Sequence, residues 1–99
     1  MSVDIDLISR NSRAASILLK AMSNERRLLI LSHLIDGEKS VGQLEDMIGI
    51  SQSALSQHLA RLRRDNIVGT RRKAQNIYYH LVSDRVPVMI DTLESMFRE

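Results

Sequence analysis

The hydrophobic positions of this chain follow a helical period, switch briefly to alternation, and return to a helical period, and those switches divide it into elements. From 7 to 22, Leu7/Ile8, Asn11, Ala14/Ala15, Leu18 and Met22 recur at helical spacing. Ser23-Asn24 breaks the run and offers a cap for a second helix over 25–36, with Leu28, Leu31 and Leu34/Ile35 on one face. Arg26 and Arg27 fall in its first turn, where the helix dipole disfavours cations; that placement is easier to understand if they meet an anion, although exposed arginines are tolerated there. Asp36-Gly37-Glu38-Lys39 is a turn. Ser40 then caps a short helix over 41–48, with Val41, Leu44 and Met47/Ile48 inward, and Gly49 suits the left-handed residue that ends it.

Residues 49–64 are the most distinctive stretch. Ile50 plugs the core at the turn, Ser51 caps a new helix, and Leu55, Leu59 and Leu62 form one stripe at i, i+4, i+7. Ser53, Gln57 and Arg64 project from the opposite side, with Ser56 and Arg61 on its flanks. Gln can read a base edge bidentately, Ser serves a base or a phosphate, and Arg serves either, so this face suits a major groove. A solvated amphipathic helix is the plainer alternative. The order helix, short turn, helix, with the second helix carrying the polar face, is the helix-turn-helix pattern.

Asn66 closes that helix, and alternation takes over. Ile67–Arg71 and Asn76–Val82 are short β-prone runs, and Arg72-Lys73-Ala74-Gln75 between them is a polar turn, so the expectation is a β-hairpin with a cationic tip of Arg71, Arg72 and Lys73. A final helix spans 84–97. Pro87 lies in its first turn, where its missing N–H does no harm, which favours Asp84 over Ser83 as the cap. Val86, Met89/Ile90, Leu93 and Met96/Phe97 make a wide apolar stripe. Terminal helices this apolar need a place to bury. A homodimer through the first and last helices, using Leu18, Met22, Met89, Ile90, Leu93, Met96 and Phe97, is the preferred reading; a purely intramolecular core is the alternative.

Charge sharpens the picture. Residues 51–80 hold six basic residues and one acid, net +5, while the remainder holds eight basic and eleven acidic residues, net −3. A basic segment in an otherwise acidic chain is the footprint of a polyanion-binding face. Composition excludes several other classes. Ninety-nine residues, 43% hydrophobic and 26% charged, make one domain spanning 1–99. No apolar run approaches the roughly 18 residues of a membrane span, and Asp4 and Asp6 precede any apolar stretch, so no membrane role or secretory signal is expected and the chain reads as cytoplasmic. Cysteine is absent, the three histidines (His33, His58, His80) form no ligand pair, and no phosphate-binding glycine loop occurs, so neither metal nor cofactor is expected. One Phe, two Tyr and no Trp disfavour stacking on single strands. No nucleophile has an evident paired base, so the chain does not read as an enzyme.

The words within this pattern resemble the ArsR/SmtB family of bacterial winged helix-turn-helix regulators. The stretch from Leu19 to Leu31 is similar to that family's second-helix signature, Ser51 to Leu59 to its recognition helix, and Arg71 to Tyr79 to its wing. The resemblance covers about residues 14–97 and implies a mainly α fold of four helices, a β-hairpin wing and a fifth helix, dimeric through the first and last. It implies a sequence-specific transcriptional regulator, repressor or anti-silencer, that binds a palindromic double-stranded DNA operator. Gln52, Ser53, Ser56 and Gln57 would face bases; Ser51, Arg61, Arg64, Arg71, Arg72 and Lys73 would face phosphates or the minor groove; His58, at the edge of the apolar stripe, would be structural or phosphate-facing. The family's cysteine sites do not carry over: the positions that match its paired thiols hold Ser32 and Arg98, and no inducer is implied. A protein–protein module on the same fold, with the basic hairpin incidental, is the alternative.

Overall fold

A computed structural model describes all 99 residues, Met1–Glu99. Five helices, α1 (Ile5–Met22), α2 (Glu25–His33), α3 (Val41–Ile48), α4 (Gln52–Arg64) and α5 (Arg85–Phe97), are joined by three strands, β1 (Lys39–Ser40), β2 (Val68–Lys73) and β3 (Asn76–Leu81). The strands form one antiparallel sheet in the order β1-β3-β2.

Capping side chains set most helix starts, because the first N–H groups of a helix have no partner within it. Asn24 Oδ1 accepts from the N–H groups of Arg26 and Arg27 at 3.0 and 3.1 Å, and Ser51 Oγ accepts from Ala54 at 3.2 Å. Ser40 Oγ accepts from Gln43 N–H while Gln43 Oε1 accepts from Ser40 N–H, a reciprocal capping box. Two starts differ from expectation. α1 begins two residues early because Asp4 Oδ1 accepts from Leu7 N–H. At α5, Asp84 occupies the cap position without a side-chain bond, and Ser83 Oγ accepts from Arg85 N–H instead. α2 is also shorter than its apolar pattern, ending at His33 with Ile35 beyond it exposed.

Twelve residues are buried, all of them hydrophobic. Leu55, Leu59 and Leu62 of α4 share one cluster with Ile30 and Leu31 of α2, Leu34 just after it, Leu44 of α3, and Ala21 and Met22 at the end of α1. Ile67, Val68 and Val86 close the cluster from the base of the hairpin and the start of α5. Ile50 packs against it at the turn, as its place in the sequence suggests. The last turn of α1 and the first of α5 therefore belong to the core. Residues 5–17 of α1 are exposed throughout, and so are Met96 and Phe97. Met22 is only 7% exposed within the protomer, so it serves this chain's own core and offers no surface to a partner, contrary to expectation.

The helix-turn-helix corner depends on Gly49, whose φ of +76° lies in the left-handed region. A Cβ there would meet nothing within 4 Å, so the cost of a side chain comes from the backbone alone. Gly49→Ala should lower stability by about 1–2 kcal/mol and Gly49→Asn by less, since Asn tolerates this region better. Urea unfolding of the three proteins checks the order, and equal stability of wild type and Ala variant would contradict it.

Candidate nucleic-acid interface

Because α4 buries Leu55, Leu59 and Leu62 on one side, its other side must face solvent. Ser51, Gln52, Ser53, Ser56, Gln57, Arg63 and Arg64 are all exposed there. The Ser51 hydroxyl is engaged in its capping bond, whereas Gln52, Ser53, Ser56 and Gln57 make no side-chain hydrogen bond within the chain. Their donors and acceptors remain available to an incoming partner. Two residues complete this surface that side-chain chemistry alone passes over. Ala60, exposed between Gln57 and Arg64, lets a partner approach the helix closely and offers a methyl for apolar contact, as with a thymine methyl. Arg63 adds a second exposed cation, beside Arg64, to the last turn of α4. The signal for both was their place on the helical wheel.

The expected phosphate residues divide. Arg64 is well exposed, with 70% of its side chain accessible, and its Nε lies 3.9 Å from Asp65. Arg61 is half-buried, its Nε 3.8 Å from Asp65 and without a hydrogen-bond partner. Arg27 does not await an anion. Its Nε donates to the Ala21 carbonyl at 2.7 Å and its Nη2 to Lys20 at 3.1 Å, so it caps the C-terminal end of α1, where a cation complements the helix dipole. Arg26 remains exposed at the start of α2.

The hairpin differs from a cationic loop. Its tip is only Ala74-Gln75, with Ala74 at φ +56°, and Arg71, Arg72 and Lys73 belong to β2. They pair with Tyr78, Ile77 and Asn76 in turn. Alternation along the strand sends Arg72 to one face of the ribbon and Arg71 and Lys73 to the other. Arg71 is already partnered: its Nε donates to Glu38 Oε2 at 3.0 Å, its Nη2 donates to Glu38 Oε1, and the guanidinium lies 5.8 Å from the centre of the Tyr78 ring. The Arg71 hydrogen bonds hold the Glu38 carboxyl below its ordinary range and raise the Arg71 guanidinium. Arg72 and Lys73 are exposed and carry no ion pair. Gly69 sits where His80 and Val82 cross β2; a Cβ there would lie 3.0 Å from His80 Nε2 and from Val82 Cγ2.

His58 is half-buried on the flank of α4 that faces α2. Burial lowers its pKa first, and the positive fields of Arg27 and Arg26 lower it further. Its surroundings therefore favour the neutral imidazole. The folded chain holds this proton less tightly than the unfolded chain does. The corresponding stability is complete above the ordinary value of 6.5 and is lost as pH falls through the depressed one. An NMR titration of the imidazole should show its transition below 6.5, and His58→Gln should flatten the fall of Tm on that acid side; a transition above 6.5 would contradict this environment.

Against this geometry, comparison with known proteins is direct. Residues 24–70, which run from the cap of α2 into β2, match the family model described as bacterial regulatory protein, arsR family. The transcriptional activator HlyU of Vibrio cholerae is 50% identical over 95 residues, covering 96% of this chain and 88% of that protein. The crystal structure of the transcriptional repressor BigR from Xylella fastidiosa superposes with a TM-score of 0.93 at 35% identity, covering 98% of this chain and 99% of that one. A homodimeric winged helix-turn-helix DNA-binding domain from Mycobacterium bovis, described as a possible ArsR-family transcriptional regulator, gives a TM-score of 0.77 at 25% identity over 97% of this chain and 89% of its own. With that identity sustained along almost its full length, and with the helix-turn-helix and wing in place, this chain belongs to the ArsR family of winged helix-turn-helix DNA-binding transcriptional regulators.

Proposed function

We propose that the protein binds a two-fold double-stranded DNA operator as a homodimer, with α4 in the major groove and the wing beside it. The observation that carries this reading is the outer face of α4, where four hydrogen-bonding side chains stand exposed and unengaged above a fully buried leucine stripe. Gln52, Ser53, Ser56 and Gln57 read base edges, with Ala60 allowing close approach. Arg63, Arg64, Arg72 and Lys73 hold phosphates, Arg61 stands behind them, and Ser51 presents its N–H end of the helix. The chain has no cysteine, so any release from DNA works without thiol chemistry. No helix is long and apolar enough to cross a membrane.

Two-fold operators need two reading helices about 34–36 Å apart, and one chain of this length supplies one. Apolar surface for a partner is present on the terminal helices: Ile5, Ile8 and Val88 are 70%, 55% and 65% exposed, and Met96 and Phe97 more than half. Leu18, Met89 and Ile90 lie half-buried where α1 and α5 meet the core, Leu93 is half-buried further along α5, and a shallow groove runs between Leu18 and Val88–Met89. Patches of this kind on so small a chain mark interaction sites, and the Mycobacterium bovis relative is described as homodimeric.

Selection of bound sequences from a random duplex library tests the reading at its centre. Gln57→Ala should cost about 1–3 kcal/mol on the selected site and relax preference at one position, whereas Arg72→Ala with Lys73→Ala should weaken all duplexes alike and reduce the log–log salt slope by about 0.9 for each phosphate no longer neutralised. Binding that is indifferent to both sequence and salt would instead favour a protein–protein module. For the dimer, Ile8→Asp is the cleaner variant, because Ile8 is exposed and lies outside the core cluster whereas Leu93 is half-buried within the protomer. Sedimentation should give a wild-type dimer at micromolar concentration and a folded Ile8→Asp monomer with weakened operator binding. A monomeric wild type would overturn the interface.

A further inference from the structure

The outer half of the hairpin has little to rest on. β1 pairs with β3 only at Lys39↔Tyr79 and Ser40↔Tyr78, so beyond the Arg71↔Tyr78 row, from Arg72 and Ile77 outward, β2 and β3 form a lone two-stranded ribbon. Such a ribbon is at best marginally stable by itself. The Glu38–Arg71 ion pair stands at the boundary between the anchored base and the free arm. Glu38 immediately precedes β1 and Arg71 lies on β2, so the pair reaches over the whole width of β3, with the guanidinium lying over the Tyr78 ring on the way.

The carboxylate end is itself braced. Lys39 Nζ donates to Asp36 Oδ1 at 2.9 Å and to the Gly37 carbonyl at 3.2 Å, fixing the turn that carries Glu38. Two residues on, Ser40 caps α3, the first helix of the helix-turn-helix. A continuous path of bonds therefore runs from the start of α3 through β1 and Glu38 to the point where the wing leaves the body. A bidentate guanidinium–carboxylate pair is the side-chain contact whose geometry fixes direction as well as distance.

We propose that Glu38 and Arg71 form a clasp that sets the angle of the wing to α4, and that Arg71 acts through this pair as a positioning residue and not as a phosphate contact. The inference rests on the reading that α4 and the wing bind duplex DNA together. A wing free to swing occupies the binding geometry for only part of the time, and apparent affinity falls by that fraction; a wing correctly placed one-tenth of the time binds about tenfold more weakly.

The sign of the effect makes the test decisive. Removing an acid from a DNA-facing surface ordinarily strengthens its hold on a polyanion, but opening the clasp weakens it. Glu38→Ala, Arg71→Ala, Arg71→Lys and the exchanged pair Glu38→Arg with Arg71→Glu should be titrated with a mixed-sequence duplex pool over a range of salt. Amide hydrogen exchange of residues 69–80 should be followed on each protein without DNA. Glu38→Ala and Arg71→Ala should each weaken binding about three- to tenfold at unchanged salt slope, the two changes together should cost no more than one, and exchange in the outer ribbon should quicken. Arg71→Lys should behave like Arg71→Ala, because an ammonium cannot make the bidentate pair, and the exchanged pair should restore slow exchange. Tighter binding by Glu38→Ala with a steeper salt slope, or near-normal binding by Arg71→Lys, would overturn the proposal, since either outcome makes Arg71 a phosphate contact. Unchanged exchange in Glu38→Ala would overturn it as well. A wild type that ignores duplex DNA would remove the DNA reading alone, with the exchange measurements still deciding whether the clasp exists.

Discussion

The constraint on which the rest of the molecule depends is the one-sided burial of α4. Leu55, Leu59 and Leu62 are essentially inaccessible, and fully burying a leucine contributes roughly 1.5–3 kcal/mol relative to leaving it exposed. No other orientation of α4 buries all three. The same rotation that satisfies them turns Ser53, Gln57, Ala60 and Arg64 outward in a row, so the proposed reading face follows from the core. α2 and α3 supply the opposing wall through Ile30, Leu31, Leu34 and Leu44, and Gly49 makes the corner that lets α3 and α4 share it. Stability and the proposed recognition thus lie on opposite sides of one thirteen-residue helix.

Polar interactions act at the margins of this core, where they direct chain segments. The capping box at Ser40 and Gln43 fixes the start of α3, and Arg27 ties α2 back to the end of α1. No polar or charged residue is buried in the core itself. The hairpin follows the same rule: its base is held by Ile67, Val68 and the close crossing of His80 over Gly69, and its direction by the ion pair across β3. Apolar packing keeps the wing attached, and a geometrically exacting polar pair aims it.

The terminal helices show the limit of a core this small. Only Ala21 and Met22 at one end of α1, and Val86 at the near end of α5, are buried; the remaining apolar residues lie half-buried or exposed. α1 runs 18 residues, about 27 Å at 1.5 Å per residue, and nothing within the chain covers its first three turns. The proposed second copy supplies the missing surface and, in the same step, the second reading helix.

Local order was legible in the sequence because local forces produce it. The caps at Asn24, Ser40 and Ser51, the left-handed Gly49, the leucine stripe of α4 and the two β-prone runs all arise from interactions within about four residues, which spacing and residue type report directly. The exposed outer face of α4 was legible for the same reason, since it is the complement of an apolar stripe. Tertiary structure decided what spacing does not encode. β1 exists only because Lys39 and Ser40 meet Tyr79 and Tyr78 of β3, far along the chain. Arg71 has the residue type of a phosphate contact, yet its partner is Glu38, 33 positions away. Arg27 caps a helix other than its own, and Met22 at the end of α1 joins the core cluster. In each case a side chain had several partners compatible with its chemistry, and the packing of the leucine core determined which one came within reach.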